Sequence, residues 1–337
     1  MNRFSIVRLP TLESVGTRVS DQPQRVIRAG GIDLLDHMKE GLSAPDELVE
    51  LHAVGGEEGR ALRGIQTEDD GRMRVGALVT LGQLAEAGAE AGAAWSALTV
   101  AAGHAATPGI RNAATVGGNL LQRPRCWYYR HVDLVCLKKG GDMCFAQTGD
   151  HRYHAILGGG PSYIVHPSSL GSPLVALDAQ VDVRALDGST RAVPIEQLFV
   201  GPTVDPTREH DLAPGEILLA VRLPAPQANQ RSAYAVAKEK QSQDWPLAEA
   251  SVRLRVDQGK LRDVRVALGH VSPVPWRSKE AEAVLEGQAP SAELFERAAV
   301  AATEPAKPLT GNAYKVPLVQ GLLREALHRA AQVPLPE

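Results

Sequence analysis

The chain has 337 residues, of which 44% are hydrophobic and 22% are charged, which is enough to build two or three subdomains. Its formal net charge of -3 excludes the strongly basic surface typical of proteins that bind nucleic acid or an anionic membrane. No window reaches the roughly 20 apolar residues of a membrane helix, and the first residues do not resemble a secretory signal. We therefore expect a cytoplasmic protein, or a periplasmic one if a signal-bearing partner exports it.

Residues 1–56 alternate between strand-like and helix-like segments. The hydrophobic pattern predicts strands over residues 4–8, 25–29 and 48–53, with one helix starting near residue 12 and another over residues 33–40. This order is typical of a small βαβ-type unit.

Residues 57–224 form a second mixed region, which ends at Pro224-Ala225-Pro226. The pattern predicts strands over residues 73–78 and 216–223, helices over 81–87, 96–104 and 173–177, a loop over 107–119, and a hairpin over 180–184 and 190–194.

The remaining residues predict a C-terminal domain with a three-stranded sheet. Its strands are expected over residues 233–238, 248–256 and 262–268, and three helices over 278–286, 291–302 and 316–331 follow.

Two glycine-containing loops are candidates for binding a phosphate group. The first, RAGGIDLL at residues 28–35, joins a strand to a helix, so main-chain N–H groups and the helix start can face an anion. The second, RNAATVGGNLL at residues 111–121, combines a threonine, two glycines and an asparagine. These residues can supply main-chain N–H groups, an O–H and an amide donor, a set that suits a diphosphate. Either loop alone can also be an ordinary tight turn. Neither has the G-x-G-x-x-G or P-loop pattern.

All three cysteines of the chain lie close together, at Cys126, Cys136 and Cys144. An odd number of cysteines without a secretory signal argues against a disulfide framework and favours metal, cluster or redox chemistry. No Ser/His/Asp or paired-carboxylate pattern indicates a catalytic residue.

Five short motifs occur in an order and spacing that resemble one known family. They are AGGIDL (29–34), IRNAATVGGN (110–119), EILLAVRLP (216–224), LGHVSPVPWR (268–277) and NAYKVPL (312–318). Together they resemble the FAD-binding subunit of molybdenum hydroxylases, the family of xanthine dehydrogenases, aldehyde oxidoreductases and carbon monoxide dehydrogenases. The resemblance covers nearly the whole chain.

This resemblance implies an α+β protein with a two-subdomain FAD-binding fold of the vanillyl-alcohol oxidase or PCMH type and a C-terminal α+β domain. The implied boundaries are residues 1–56, 57–224 and 228–337. It also implies which residues bind the cofactor: Ala29, Gly30, Gly31, Ile32, Asp33, Leu34, Ala114, Thr115, Gly117, Gly118, Asn119, Gln122, Ser169, Leu218 and Lys238.

Two positions depart from the family pattern. Ile32 replaces a threonine, so a hydroxyl contact is lost while the main-chain N–H remains. Ser169 ends the run His166-Pro167-Ser168-Ser169, where the family often has an aspartate. Ser169 can still form a hydrogen bond with a ribityl hydroxyl or a ring edge, but it supplies no charge.

The cysteines lie in an insertion at about residues 122–165, which resembles the one in bacterial aldehyde oxidoreductases and 4-hydroxybenzoyl-CoA reductase. The flavin subunits of those enzymes carry a four-iron four-sulfur cluster there, and thiolates suit such clusters. Their fourth cysteine lies shortly before the HPS run, where this chain has Ser162-Tyr163-Ile164-Val165.

Several interpretations of the cysteine site stay open. A cluster can be completed by a ligand such as His151, His154 or Asp142, or it can lack one iron. The three cysteines and one histidine can instead bind zinc. The site can also be vestigial and bind no metal.

The resemblance implies a function in a complex that oxidises a small aldehyde or heterocycle. A large subunit would hold the molybdenum cofactor, a small subunit two two-iron clusters, and this chain FAD. Electrons would pass to ferredoxin, a quinone or NAD, and a cluster near the surface favours a one-electron acceptor. The alternatives are a stand-alone FAD-dependent oxidase of the same fold and a non-catalytic metal-binding scaffold.

Overall fold

The computed structural model describes residues 1–88, 92–240 and 244–335, and these residues form three β-sheets. The first sheet has three parallel strands in the order β1-β3-β2. Helices connect its strands, as parallel pairing requires. The strands are β1 (Ser5–Arg8), β2 (Arg25–Arg28) and β3 (Glu47–Glu50), and the connecting helices are Leu12–Ser20 and Ile32–Lys39. The predicted third strand ends early, because Leu51–Ala53 form a 3₁₀ turn.

The second sheet is antiparallel and has five strands in the order β4-β5-β8-β6-β7. They are β4 (Ile65–Thr67), β5 (Met73–Gly76), β6 (Gln180–Arg184), β7 (Thr190–Pro194) and β8 (Ile217–Leu223). Among the helices of this region are Gly56–Arg63, Leu81–Glu86, Ser96–His104, Trp127–Arg130, Gly171–Ala176 and Ile195–Leu198. One apolar core is shared by the first two sheets and their helices.

The loop predicted over residues 107–119 contains two short helices, Pro108–Arg111 and Val116–Leu120. Each begins at a threonine whose side-chain oxygen accepts a main-chain N–H. Thr107 accepts from Ile110 and Thr115 from Gly118, both at 3.1 Å. Such N-caps stabilise the first turn of a helix. They explain why this segment contains helices although its glycines favour the prediction of a loop.

The C-terminal sheet has four antiparallel strands in the order β12-β11-β10-β9. They are β9 (Gln230–Lys238), β10 (Pro246–Asp257), β11 (Lys260–Gly269) and β12 (Trp276–Arg277). The two-residue strand β12 adds a fourth strand to the predicted three. Three helices form a second apolar core with this sheet: Lys279–Leu285, Ala292–Thr303 and Lys315–Ala331. Among the described residues, no helix is both long and apolar enough to cross a membrane.

The cysteine-containing insertion has little regular structure, and the NAYKVPL motif fixes its last part to the C-terminal domain. The Asn312 amide donates to the carbonyl oxygens of His154 and Ala155, at 3.1 and 3.2 Å. The Lys315 amine donates to the carbonyl oxygens of Tyr153 and His270, at 2.8 and 2.9 Å. This motif therefore has a structural role.

Lys315 is 1% exposed, and burial lowers its pKa to about 7. A neutral amine has two N–H donors, which match its two carbonyl acceptors. An unfolded lysine has a pKa near 10.4, so between about pH 7 and pH 10 the unfolded state binds more protons than the folded state. Stability therefore decreases as the pH falls through this window and is restored above it.

We predict that Lys315→Met removes this pH dependence. Relative to the variant, the unfolding free energy of the wild type should fall by up to about 1.4 kcal/mol for each pH unit between pH 9.5 and pH 7.5. Urea unfolding at several pH values measures this difference. Parallel pH curves for the two proteins would show that the Lys315 amine stays charged when folded.

Candidate functional site

A cavity of about 660 Å³ lies between the two glycine loops and the C-terminal sheet. This volume is within the range of pockets that bind cofactors and other small molecules. The cavity is lined by every residue that the family resemblance assigns to the cofactor: Ala29, Gly30, Gly31, Ile32, Asp33, Leu34, Ala114, Thr115, Gly117, Gly118, Asn119, Gln122, Ser169, Leu218 and Lys238.

The two glycine loops touch each other through their main chains. A Cβ atom on Gly30 would lie 2.0 Å from the carbonyl oxygen of Ala113, so no other residue fits at this position without moving the second loop. Gly31 has a φ of 75°, in the left-handed region, and forms the N-cap of the helix Ile32–Lys39. The glycines are therefore required by the approach of the loops and by the turn.

The first loop presents free main-chain donors to the cavity. Within the described residues, the N–H groups of residues 30–34 make no hydrogen bond. The first intrahelical bond in this segment is made by the N–H of Leu35, which donates to the carbonyl of Gly31 at 2.9 Å. A run of unpaired N–H groups at a helix start attracts an anion through their dipoles.

The second loop differs, because the protein itself uses its main-chain donors. The N–H of Val116 donates to Val79 and that of Gly117 to Ala77, both at 2.9 Å. The N–H groups of Gly118 and Asn119 both donate to Thr115, the first to the side-chain oxygen and the second to the carbonyl. The expectation that this loop offers main-chain N–H groups to a diphosphate is therefore wrong for residues 116–119.

Asn119 supplies a side-chain donor in the second loop. Its side-chain oxygen accepts from the Ser168 hydroxyl at 2.7 Å and from the N–H of Leu170 at 3.3 Å. These contacts fix the orientation of the amide, and its NH₂ group makes no hydrogen bond within the described residues. Asn119 therefore joins the second loop to the HPSS run and leaves a donor for a ligand.

The carboxylate of Asp33 is bonded to residues at the start of the insertion. It accepts from the N–H of Arg123 at 2.8 Å and from the guanidinium of Arg130 at 2.6 Å, and Arg125 lies 3.4 Å away. The side chain of Asp33 therefore holds the insertion against the first loop, and its main-chain N–H is the group left for a ligand.

Other predicted residues line the walls of the cavity. Gln122 donates from its side-chain amide to the carbonyl of Asn119 at 2.9 Å, and Lys238 donates to the carbonyl of His104 at 2.7 Å. Leu218 and Ser169 are 3% and 6% exposed. The side chains of Gln122 and Lys238 thus brace the cavity through main-chain carbonyls.

Several residues that line the cavity were not predicted from the sequence. Among them are His104, Arg123, Arg125, Tyr129 and Trp245. The Arg125 guanidinium lies 4.4 Å from the ring centroid of Trp245, which joins the insertion to the C-terminal domain by a cation–π contact. Arg123 and Arg125 follow the second glycine loop closely in the sequence, and this position could have indicated that they line the cavity. Nothing local in the sequence indicates that Trp245 reaches this cavity.

The three cysteines are free thiols in the insertion. Cys136 and Cys144 are 5% and 7% exposed, and Cys126 is partly buried. Burial raises the pKa of Cys126 to about 12, so without a metal this thiol is protonated at neutral pH. Within the described residues, no three His, Cys, Asp or Glu side chains are grouped closely enough to hold a single metal ion.

The structure distinguishes the three candidates for a fourth ligand. The nitrogens of His151 are both engaged, Nδ1 with the carbonyl of Ala146 and Nε2 with the N–H of Gly311, at 2.9 and 2.8 Å. Asp142 is exposed. Nε2 of His154 lies 3.2 Å from the sulfur of Cys126, and burial lowers the pKa of this histidine to about 4.

Comparison with known proteins matches two family models to the chain. Residues 2–226 match the FAD binding domain in molybdopterin dehydrogenase, and residues 232–330 match the CO dehydrogenase flavoprotein C-terminal domain. The first two thirds of the chain is thus an FAD-binding domain, and the chain is a flavoprotein subunit.

Similar proteins extend this result over the whole length. The chain is 31% identical to the aldehyde oxidoreductase FAD-binding subunit PaoB of Escherichia coli strain K12, over 98% of this chain and 99% of that protein. It is 27% identical to the xanthine dehydrogenase FAD-binding subunit of Escherichia coli O157:H7, over 82% and 76% of the two chains. A carbon monoxide dehydrogenase structure from Hydrogenophaga pseudoflava superposes with a TM-score of 0.73, at 26% identity over 98% of both chains.

The chain belongs to the family of FAD-binding medium subunits of molybdenum hydroxylases. The resemblance inferred from the five motifs and the predicted α+β fold class are confirmed.

We predict that Asn119→Asp weakens FAD binding. An aspartate keeps an oxygen for Ser168 and Leu170, but it replaces the free NH₂ with negative charge facing an anionic cofactor. Since juxtaposed like charges are strongly unfavourable, the dissociation constant of FAD should rise at least about tenfold.

Titration of the apoprotein with FAD by flavin fluorescence measures this change. The matched control is Asn112→Asp, because Asn112 is exposed in the same segment and does not line the cavity. Equal dissociation constants for the two variants would mean that Asn119 does not face the diphosphate.

Proposed function

We propose that this chain is the electron-transfer subunit of a molybdenum hydroxylase, with FAD as its carrier. The proposed partners are a large molybdopterin-binding subunit, a small subunit with two two-iron clusters, and an external acceptor. The main support is the end-to-end match to an aldehyde oxidoreductase FAD-binding subunit, which covers 98% of this chain.

The residues that line the cavity suit FAD. The free N–H groups of residues 30–34 and the amide of Asn119 are the proposed ligands of the pyrophosphate. When bound, FAD exchanges electrons singly or in pairs and so can link one-electron and two-electron partners. The protein contributes binding, orientation and the electrostatic environment.

The positive charges around the cavity are largely paired with carboxylates before any cofactor binds. The guanidinium groups of Arg125 and Arg130 are paired with Asp33, and that of Arg123 is paired with Glu209 at 2.8 Å. Neutral N–H dipoles of the first loop are therefore the main attraction for the pyrophosphate. This arrangement predicts only a weak effect of salt on FAD affinity.

We propose that the three cysteines hold an iron–sulfur cluster. Hydrogen bonds to sulfur support this assignment. The N–H of Tyr163 donates to Cys144 at 3.5 Å, and His154 lies 3.2 Å from Cys126.

A second carrier of single electrons beside the flavin favours a one-electron acceptor, such as ferredoxin or a quinone, over NAD. Reoxidation of the reduced complex by NAD at the rate of turnover would contradict this preference. The stand-alone oxidase remains the alternative function, and it would turn over substrate without partner subunits.

We predict that anaerobically purified protein contains one FAD and about four irons per chain, and that Cys136→Ala loses the iron and keeps the flavin. Flavin absorbance, iron and acid-labile sulfide are measured on the same sample. The control is Met143→Ser, which removes an exposed sulfur side chain from the same segment. Flavin without iron in the wild type would exclude the cluster, and a colourless wild type would contradict the flavoprotein function.

A further inference from the structure

The structure assigns the side-chain oxygen of Ser162 as the fourth ligand of the iron–sulfur cluster, beside Cys126, Cys136 and Cys144. This inference rests on the cluster proposed above, and Ser162 begins the segment that stands where the related enzymes have their fourth cysteine.

Ser162 lies next to the contacts that hold the cysteine site together. The following residue, Tyr163, donates its N–H to the sulfur of Cys144 at 3.5 Å. The carbonyl of Tyr163 accepts from the N–H of Ala155 at 2.9 Å. Ala155 follows His154, whose Nε2 lies 3.2 Å from the sulfur of Cys126. Residue 162 is therefore one position away from a chain of contacts that runs between two of the three thiols.

The hydroxyl of Ser162 is buried without a partner. The residue is 1% exposed, and its Oγ makes no hydrogen bond within the described residues. A buried hydroxyl that has lost its water and gained no partner is unfavourable. A bond to iron removes this penalty.

Serine has the chemistry that the site needs. On coordination, an Fe–O bond replaces the O–H bond and the proton leaves to solvent. The resulting alkoxide carries one negative charge, as each cysteine thiolate does. The site would then have four anionic ligands, one for each iron.

The histidine beside the site is better placed as a hydrogen-bond donor. Ligands on different irons of a cluster point away from one another, whereas Nε2 of His154 is within 3.2 Å of the Cys126 sulfur. An N–H donated to a thiolate is a known influence on cluster potential. His154 therefore supports Cys126, and the fourth iron is left for Ser162.

Anaerobically purified complexes carrying Ser162→Ala or Ser162→Cys test this assignment, with iron content, EPR spectra and the cluster midpoint potential as readouts. Ser162→Ala should contain about three irons per chain and give the EPR signal of an oxidised three-iron cluster. Ser162→Cys should keep about four irons, and its midpoint potential should differ from that of the wild type, because the ligand atom has changed.

The matched control is Ser272→Ala. Ser272 is also 1% exposed with an unpaired hydroxyl, and it makes no side-chain hydrogen bond to a cysteine among the described residues. Its iron content and potential should equal those of the wild type. If both Ser162 variants match the wild type in iron, spectrum and potential, the assignment of Ser162 is wrong while the cluster stands. A wild type with flavin but no iron, or with zinc, overturns the cluster and the Ser162 assignment together.

Discussion

The main-chain contact between the two glycine loops is the constraint on which the site depends. Gly30 approaches the carbonyl of Ala113 so closely that a single methyl group would separate them. This approach brings the start of a helix from the first sheet beside Asn119 of the second region. The cleft therefore exists because two segments about 80 residues apart, each able to be an ordinary turn, are packed against each other.

A set of ion pairs and hydrogen bonds fixes the cysteine-containing insertion beside this cavity. Asp33, in the first turn of the helix after the first loop, pairs with Arg125 and Arg130 and accepts the main-chain N–H of Arg123. The buried Lys138 pairs with Glu209 at 2.7 Å, and the NAYKVPL motif fixes the other end of the insertion. The same arginines that position the insertion are paired with carboxylates, which leaves the N–H groups of residues 30–34 as unpaired neutral donors at the cavity.

The order of motifs predicted the family and the fold class, because order and spacing carry information that no single glycine pair has. The distribution of donors was not predictable. The N–H groups of Val116 and Gly117 are taken by carbonyls of Val79 and Ala77, which lie just beyond strand β5 and have no local sequence signal. Equally, no pattern distinguishes His151, which is fully hydrogen-bonded, from a histidine that faces a thiol three residues later.

We expect a flavin to lie between the two loops, with its pyrophosphate held by the first loop and by Asn119. The structure of the protein purified with its natural cofactor is the decisive measurement. Phosphate oxygens should lie within hydrogen-bond distance of main-chain N–H groups in residues 30–34 and of the Asn119 amide. A pyrophosphate held by arginine side chains alone, or a flavin bound outside this cleft, would contradict it.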